Sequence, residues 1–249
     1  MSQPLVTCIT PTFGRFHLLK EMYWSWLQQD YRNKKLLILN DEPGLEIYCD
    51  NPDVTIINRK ERTKGLGEKR NILWKHVHPK TKYIVTFDDD DLFLPKHITS
   101  LVEEAEQFPT YHRIKNKKHI MSKDNVFTGI NDKSPFFFGA SCFNYPLVKD
   151  FSFNEILTEG EDLDWMTTHK IQTKTLDHYP TFVYRQGMGV VHASGSNKNS
   201  HCMISQKQLY DRIGLQVKQR ASTERVELIE EISPQSINLW KRALNESQK

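Results

Sequence analysis

Cysteine, glycine and proline are scarce in this sequence, and it contains no long hydrophobic run. The chain has 249 residues, with 4 cysteines, 11 glycines and 11 prolines. The cysteines lie far apart and form no Cys-x-x-Cys pair, which excludes a zinc ribbon and a small disulfide-stapled protein. A membrane-spanning helix needs about 20 apolar residues, and the longest apolar runs, at 35–40 and 134–140, are far shorter.

An excess of charge of one sign is also absent. Lys and Arg total 34 and Asp and Glu total 31, which gives a formal net charge of +3 at pH 7. This balance neither implies nor excludes a nucleic-acid partner. The first ten residues have no basic flank and no long apolar stretch, so we expect no signal peptide. The expectation is a cytoplasmic protein with reduced cysteines.

The first 110 residues alternate short apolar segments with helical patterns. Segments typical of buried strands cover 5–10, 35–40, 54–58 and 83–87, and helical patterns begin at Phe16, Leu66 and Pro95. This alternation predicts an α/β fold with a mostly parallel, Rossmann-like sheet flanked by helices. Ligands of such sheets bind beyond the carboxyl ends of the strands. Those ends carry three polar clusters here: Pro11 with Thr12, Asn40 with Asp41, and the acidic run at 88–91.

The pattern is less regular after residue 110. Residues 112–123 are basic and predict an exposed segment, whereas 136–143 and 181–185 predict strands and 161–171 a helix. Apolar residues from 203 to 244 predict two or three amphipathic helices, packed on the main domain as an appendage that could also form a homodimer.

Four adjacent aspartates at 88–91 are the sharpest chemical feature. Such carboxylates repel one another and destabilise a fold unless a cation or strong donors offset them. Mg²⁺ or Mn²⁺ would do so while keeping positions for phosphate oxygens. The alternative is a solvated acidic turn, which is how most charge runs end. The run lies between an apolar strand and the apolar segment 92–94, so its backbone should be half-buried, and this favours the metal.

Glu161 and Asp162 begin a predicted helix on which Trp165 lies one turn further along. A carboxylate beside an apolar surface can act as a general base. The alternative is an acidic first turn that complements the helix dipole, and on this feature alone that alternative is favoured.

Two weaker signals are His192 and the basic stretch 59–70. His192, close to glycines and a serine, could complete a metal site, but a lone histidine is more often an ordinary hydrogen-bonded residue. The stretch 59–70 could neutralise a diphosphate, with Gly65 and Gly67 as a weak phosphate-loop signal. Its spacing is neither Walker nor Rossmann, so by itself it indicates a solvated basic loop.

Taken in order, these segments resemble the family 2 glycosyltransferases, which have the GT-A fold. Residues 6–15 are similar to that family's first strand and its Pro-Thr-aromatic-x-Arg turn, and residues 37–41 resemble its second strand. Residues 64–71 are similar to its Gly-x-x-x-Ala-Arg-Asn segment, and residues 83–95 resemble its Asp-x-Asp-Asp motif. Residues 138–143, followed by Glu161 and Asp162, resemble its acceptor strand and Glu-Asp motif. One departure stands out: Lys69 occupies the place where alanine is usual.

The resemblance implies a metal-dependent, inverting transfer of a sugar from a nucleoside-diphosphate sugar, UDP-linked in the commonest case, to an acceptor hydroxyl. Asp162 would be the catalytic base, with Glu161 and Trp165 on the acceptor side. Asp88, Asp90 and His192 would bind Mn²⁺ or Mg²⁺. The residues implied to contact the nucleotide sugar are Pro11, Thr12, Arg15, Asp41, Lys64, Arg70, Asp88 and Asp89.

The implied organisation is a GT-A domain at 1–200, with a nucleotide-binding half at 1–110 and an acceptor half at 111–200, followed by a helical appendage at 201–249. The acceptor stays open between a polysaccharide and hydroxymethylated DNA, anionic polymers that the basic residues at 113–119 could bind. Two other classes also stay open. Clustered acids and basic loops suit a metal-dependent phosphoryl-transfer enzyme or nuclease, and the same acids would suit an inactive nucleotide-sugar-binding module.

Overall fold

Strands and helices alternate along the first 110 residues of the computed structural model, as the sequence predicts. The structure describes residues 3–121, 127–131, 138–157, 160–177, 180–185 and 223–246. The first elements are β1 (Val6–Thr12), α1 (Phe16–Leu27), β2 (Lys34–Asn40), β3 (Leu45–Tyr48), β4 (Val54–Asn58), α2 (Leu66–Lys75), β5 (Tyr83–Thr86), β6 (Leu92–Phe93) and α3 (His97–Gln107).

The second half contains shorter elements. They are β7 (Arg113–Lys115), β8 (Lys118–Met121), β9 (Phe127–Asn131), β10 (Ser141–Asn144), α4 (Tyr145–Val148), α5 (Glu161–Thr168), β11 (Thr173–Thr175), β12 (Phe182–Arg185), β13 (Glu224–Glu227) and α6 (Pro234–Glu246). Among the described residues, no helix is both long enough and apolar enough to span a membrane.

A seven-stranded sheet in the order β11-β7-β10-β5-β1-β2-β4 forms the centre of the fold. The strands β5, β1, β2 and β4 are parallel, whereas β10 is antiparallel to both of its neighbours. Thr12 pairs with Asn40, and Asn40 with Asn58, so the carboxyl ends of these strands lie at one edge. The predicted mostly parallel sheet is confirmed, and its carboxyl edge is where the polar clusters lie.

Helices cover both faces of this sheet because alternate residues of its strands are apolar on each side. In β1, Val6 and Cys8 pack with residues of α1 and α3, while Ile9 packs on the opposite face with α2 and α5. The buried positions of α1 recur every three or four residues, which gives the helix one apolar face.

Two smaller sheets complete the fold, in the orders β6-β12-β8-β9 and β13-β3. The strand β13 differs from the predicted helices of the C-terminal region. It pairs in parallel with β3, and its Val226 packs against the core beside Leu45 and Ile47, while both flanking residues stay exposed. A period of two therefore fits this segment better than a helical period.

The prediction of an exposed basic segment at 112–123 is wrong for its central part. Arg113 and Lys115 are buried in β7, between β10 and β11 of the central sheet. Arg113 Nε donates to Ser141 Oγ at 2.8 Å, and burial lowers the pKa of Arg113 to about 9. Sheet pairing on both sides places these cations inside, so an anionic polymer cannot reach them as predicted.

Candidate active site

The three polar clusters at the carboxyl edge of the sheet are joined by hydrogen bonds. Thr12 Oγ1, at the end of β1, donates to Asp89 Oδ2 at 2.6 Å. Lys69 Nζ, from α2, donates to Thr12 O at 3.0 Å and to Asp41 Oδ1 at 2.6 Å. The side chains predicted to meet at this edge, Thr12, Asp41 and Asp89, are therefore in one connected network. Pro11 lies in β1 beside them, paired with Leu39 of β2.

The acidic run at 88–91 is mostly buried, which a solvated turn would not be. Asp89, Asp90 and Asp91 are buried, and Asp88 is half-buried. Arg15 offsets part of the charge: it forms an ion pair with Asp89, and its Nη1 lies 2.7 Å from Asp90 Oδ2. Burial raises the pKa of Asp89 to about 6, with Asp90 and Asp88 adding to the rise while Arg15 and Thr12 oppose it.

Arg185, at the end of β12, donates hydrogen bonds to the acidic turn. Its backbone N–H donates to Asp91 Oδ1 at 3.0 Å, and its Nε donates to Asp90 O at 2.5 Å. Its Nη1 forms an ion pair with Glu21 Oε2 of α1 at 2.6 Å. Arg185 therefore ties the acidic run to α1, a contact that sequence reasoning missed because these residues are distant along the chain.

The helix α6 contacts Glu21 and the segment that follows the acidic turn. Ser236 Oγ donates to Glu21 Oε1, and Trp240 Nε1 donates to Phe93 O at 3.4 Å, directly after the acidic run. Trp240 also packs edge-on against Trp24 with ring centres 4.9 Å apart. Trp240 of α6 is thus packed within the chain, and the homodimer through the C-terminal helices stays a prediction.

The carboxylates of the turn supply only part of a metal site. Among the described residues, no three His, Cys, Asp or Glu side chains are grouped closely enough to hold a metal ion. Asp90 is paired with Arg15, and Asp88 is the more exposed acid. His192 lies outside the described residues. Asp88 and Asp90 suit a hard cation that takes its other ligands from water or phosphate, as Mg²⁺ commonly does.

Asp41 has both carboxylate oxygens occupied by its own chain. Its Oδ1 accepts from Lys69, and its Oδ2 accepts from Thr63 N at 3.1 Å and from Thr63 Oγ1 at 2.7 Å. Both Asp41 and Lys69 are buried, and burial lowers the pKa of Lys69 although Asp41 opposes the shift. This pair was not predicted, and the replacement of the usual alanine by Lys69 was its only signal in the sequence.

Glu161 and Asp162 begin α5 on the neighbouring side of the site, and they have different surroundings. Glu161 is buried, and its Oε1 accepts from Arg70 Nε at 3.0 Å. Burial raises the pKa of Glu161 to about 6, with Asp162 adding to the rise and Arg70 opposing it. Asp162 is half-buried, so it is the more accessible acid of the two.

Arg70 is paired with Glu161, and its charge also interacts with the acidic turn. Burial disfavours its charge, but the carboxylates of Glu161, Asp88 and Asp162 together raise the pKa of Arg70. Its guanidinium also lies over the Phe138 ring, 4.3 Å from the ring centre. Phe138 O in turn accepts from Thr86 Oγ1 at 3.1 Å, at the end of the strand that leads into the acidic run. Arg70 therefore links Glu161 to the part of the sheet edge that carries the acidic turn.

Trp165 belongs to the aromatic core of the fold. It is fully buried, stacks on Phe153 with ring centres 4.9 Å apart, and meets Phe138 and Phe143 edge-on. Its packing holds α5, which also carries Asp162, against the core, and its place on the acceptor side stays a prediction.

Gly65 and Gly67 are explained by close packing. A Cβ atom at Gly65 would lie 2.6 Å from Leu157 O, and one at Gly67 would collide with Asn154 O. The start of α2 thus approaches the backbone of 154–157, and the glycines are needed whether or not phosphate binds. Lys64 beside them is exposed, with its Nζ 3.5 Å from Glu155 Oε2.

This sheet order, with an acidic turn at the carboxyl edge and a Glu-Asp pair beside it, defines a GT-A fold. The chain belongs to glycosyl transferase family 2, whose sequence model matches residues 7–141. A search of curated proteins finds no match.

Solved structures of similar fold include two proteins in complex with nucleotide sugars. S. aureus TarS 1-349 in complex with UDP-GlcNAc has a TM-score of 0.61 and 13% identity, covering 85% of this chain and 65% of that one. The mannosyltransferase PcManGT from Pyrobaculum calidifontis, in complex with GDP-Man and Mn²⁺, has a TM-score of 0.56 and 18% identity, covering 78% and 59%. The chain spans less than two thirds of the length of either. At these identities the likeness shows the GT-A fold.

Proposed function

We propose that this protein is an inverting glycosyltransferase that moves a hexose or pentose from a nucleoside-diphosphate sugar to an acceptor hydroxyl. The observation that carries the proposal is the chain of contacts from Glu161, next to Asp162, through Arg70 and Phe138 to the end of β5, where the buried acidic run at 88–91 begins. Family membership supports it, and so do the nucleotide sugars named for TarS and PcManGT.

In the proposed reaction, Asp162 accepts the proton of the acceptor hydroxyl. The hydroxyl oxygen forms a bond to the anomeric carbon while the bond from that carbon to the diphosphate oxygen breaks on the opposite face. A positioned base of this kind contributes about 10²–10⁴-fold to a rate. Glu161 does not compete for this role because it is buried and paired with Arg70.

The nucleotide half of the donor would lie along the carboxyl edge of the sheet. Thr12, Arg15 and Asp89 hold the acidic turn in place, and Asp88 is the acid exposed enough to meet the ribose. Asp88 and Asp90, with His192 as a further proposed ligand, would hold Mn²⁺ or Mg²⁺. A bound cation supplies Lewis acidity to the departing diphosphate. Lys64 is the exposed cation nearest the start of α2 that could meet the diphosphate.

We propose a UDP-linked donor and either a polysaccharide or hydroxymethylated DNA as the acceptor. Because Arg113 and Lys115 are buried, only the remainder of the basic segment, such as Lys117, could contact an anionic polymer. The two acceptors are separable by salt, because binding to DNA releases counterions and weakens steeply as salt rises.

The first experiment is a thermal-stability measurement with UDP, GDP, CDP and ADP, each with and without Mn²⁺. A ligand that binds only the folded protein stabilises it by about 2.7 kcal/mol at a hundred times its Kd. We expect a shift specific to one diphosphate and dependent on the metal. No shift with any nucleotide would contradict the proposal, and Mg²⁺-dependent cleavage of phosphodiesters would replace it with a nuclease.

The second experiment tests the base. We expect Asp162→Asn to reduce sugar transfer by about 100-fold or more while nucleotide binding is retained, because a carboxamide cannot take the proton. The matched control is Asp164→Asn, the same change two residues further along α5, which should retain transfer. Binding without transfer in the parent protein, across an acceptor panel, would instead indicate an inactive nucleotide-sugar-binding module.

A further inference from the structure

We infer that Arg15 and a divalent cation are alternative partners of Asp90, so that the guanidinium offsets the charge of this carboxylate until the cation displaces it. The inference rests on the proposed function, because that function is what brings the cation to the acidic run. For Arg15 the family resemblance implies only a contact with the nucleotide sugar. Competition with the metal gives this residue a second role, which is to weaken the binding of the cation.

One guanidinium joins two carboxylates of the acidic run. Arg15 Nε donates to Asp89 Oδ2 at 3.2 Å and Nη2 forms an ion pair with Asp89 Oδ1, whereas Nη1 lies 2.7 Å from Asp90 Oδ2. The side chains of Asp89 and Asp90 are 0% and 1% exposed, compared with 16% for Arg15. Arg15 is therefore the member of this group that is in contact with solvent.

A cation at Asp90 would compete with this contact for two reasons. A hard cation binds through carboxylate oxygens, and one oxygen of Asp90 already accepts from Arg15. A divalent charge at that oxygen would also repel the guanidinium, because the two cations would lie within a few ångströms of each other. Burial disfavours the charge of Arg15, but the four aspartates of the run together raise its pKa. Arg15 therefore stays charged, and the loss of a proton cannot relieve the repulsion.

Arg15 can release Asp90 while the structure around it is kept. Its Nε and Nη2 would stay with Asp89, and Thr12 Oγ1 donates to the same carboxylate at 2.6 Å. Arg185 Nε donates to the backbone carbonyl of Asp90, so the backbone of the turn has its own support. The helix α1 does not depend on the Arg15 side chain, because no side-chain hydrogen bond caps its first turn. Entry of the cation thus has to break the contact between Nη1 and Asp90, and the contacts with Asp89 can remain.

Binding of Mn²⁺ without nucleotide tests the inference directly. We expect Arg15→Met to bind Mn²⁺ about fivefold or more tightly than the parent protein in titration calorimetry, because the competing cation is gone. Arg32→Met is the matched control. It removes the same charge from an exposed position just before β2, at the opposite edge of the sheet, and should leave the Mn²⁺ affinity unchanged. Equal or weaker binding in folded Arg15→Met would overturn the inference.

Thermal unfolding supplies a second readout, which a purely structural role of Arg15 would not move. Without added metal, Arg15→Met should unfold at a lower temperature than the parent protein, because buried carboxylates lose their counter-ion. Saturating Mn²⁺ should then raise the Tm of the variant by about 2–4 °C more than that of the parent, which corresponds to fivefold tighter binding in a chain of this size. An equal rise in both proteins would overturn the inference.

A second variant covers the case in which Arg15→Met does not fold. Arg15→Gln keeps amide donors for the neighbouring carboxylates but carries no charge, so it takes the place of Arg15→Met in both experiments. The same fivefold gain in Mn²⁺ affinity is expected. Unchanged affinity in Arg15→Gln would overturn the inference in the same way.

The two proposals fail in different ways. If Mn²⁺ binds neither the parent protein nor the Arg15 variants, with or without a nucleoside diphosphate, the proposed use of the metal falls and the inference falls with it. If Mn²⁺ binds the parent protein and the removal of Arg15 does not tighten this binding, only the role of Arg15 falls and the proposed function stands.

Discussion

At the scale of single residues, charged side chains of the candidate site form ion pairs with one another. Arg15 with Asp89, Lys69 with Asp41, and Arg70 with Glu161 are buried or nearly so. Removing one member of such a pair leaves an uncompensated charge, which costs more than the pair itself contributes. Variants at these positions therefore need a stability measurement beside any activity measurement.

The titration of Glu161 should be visible in the stability of the protein. Because its pKa in the folded state is raised from 4.5 to about 6, its contribution is fully favourable below pH 4.5 and is lost as pH rises through about 6. We expect wild type to lose roughly 2 kcal/mol between pH 4.5 and 7.5 relative to Glu161→Gln, which cannot titrate. Urea unfolding of both proteins across this range measures it. A difference that is flat with pH would contradict the prediction.

The cysteines should differ in reactivity. Cys8 and Cys142 are fully buried, and burial raises the pKa of each thiol above its ordinary value, so both stay protonated and inaccessible. Cys49 is half-exposed. We expect iodoacetamide to label Cys49 in the native protein and to label Cys8 and Cys142 only after unfolding, as read by peptide mass spectrometry. Native labelling of Cys8 would contradict the described packing of β1.

At the scale of elements, the contact between α2 and the segment 154–157 sets how the two halves of the site approach each other. Gly67 N donates to Leu157 O at 3.1 Å, and Asn71 Nδ2 donates to Phe153 O at 2.9 Å. These bonds hold the helix that carries Lys69 and Arg70 against the segment that leads to α5.

A side chain at Gly67 should disturb this contact. We expect Gly67→Ala to destabilise the protein by about 1–3 kcal/mol, because its Cβ meets the backbone carbonyl of Asn154, which cannot move as a flexible side chain does. Gly160→Ala is the control: its Cβ has open space around it, so it carries only the cost of a left-handed backbone, about 1 kcal/mol. Thermal unfolding that ranks the two variants the other way would contradict this account.

Local patterns predicted the elements well where the chain pairs with near neighbours. The strand at 54–58 and the starts of α1 and α2 follow directly from apolar periodicity and turn residues. The same patterns miss β13, because its partner β3 is remote: Tyr48 and Glu227, which share a hydrogen bond, are 179 positions apart.

The sequence likewise indicated some residues of the candidate site and missed others. The acidic run was singled out because adjacent carboxylates in an apolar context need a cation or strong donors, whereas the Glu-Asp pair was singled out by the family resemblance. The burial of Arg113 and Lys115 was missed because a charged pattern indicates exposure unless the neighbouring strands are known. Arg185 and Glu21 were missed because an ion pair between β12 and α1 leaves no local signal.

At the scale of the whole molecule, α6 and the acidic turn form one structural unit. Trp240 is buried with Leu92 and Leu94, which directly follow the aspartates. We expect Trp240→Ala to speed amide hydrogen exchange at 88–94 as well as in α6, while β1 and β2 keep their protection. Lys241→Ala, at the exposed neighbouring position, should change neither. Faster exchange confined to α6 would contradict the coupling.

The remote pairing of β3 with β13 also fixes the order in which this molecule can be completed during synthesis. The acidic turn leaves the ribosome with β6, long before Ser236 and Trp240 exist to contact Glu21 and the Phe93 carbonyl. In a nascent chain the acidic turn therefore lacks the contacts made by α6. The strand β3 likewise has no β13 partner until residues 224–227 have been synthesised. Translation has to reach the C-terminal helix before the acidic turn gains the last of these contacts.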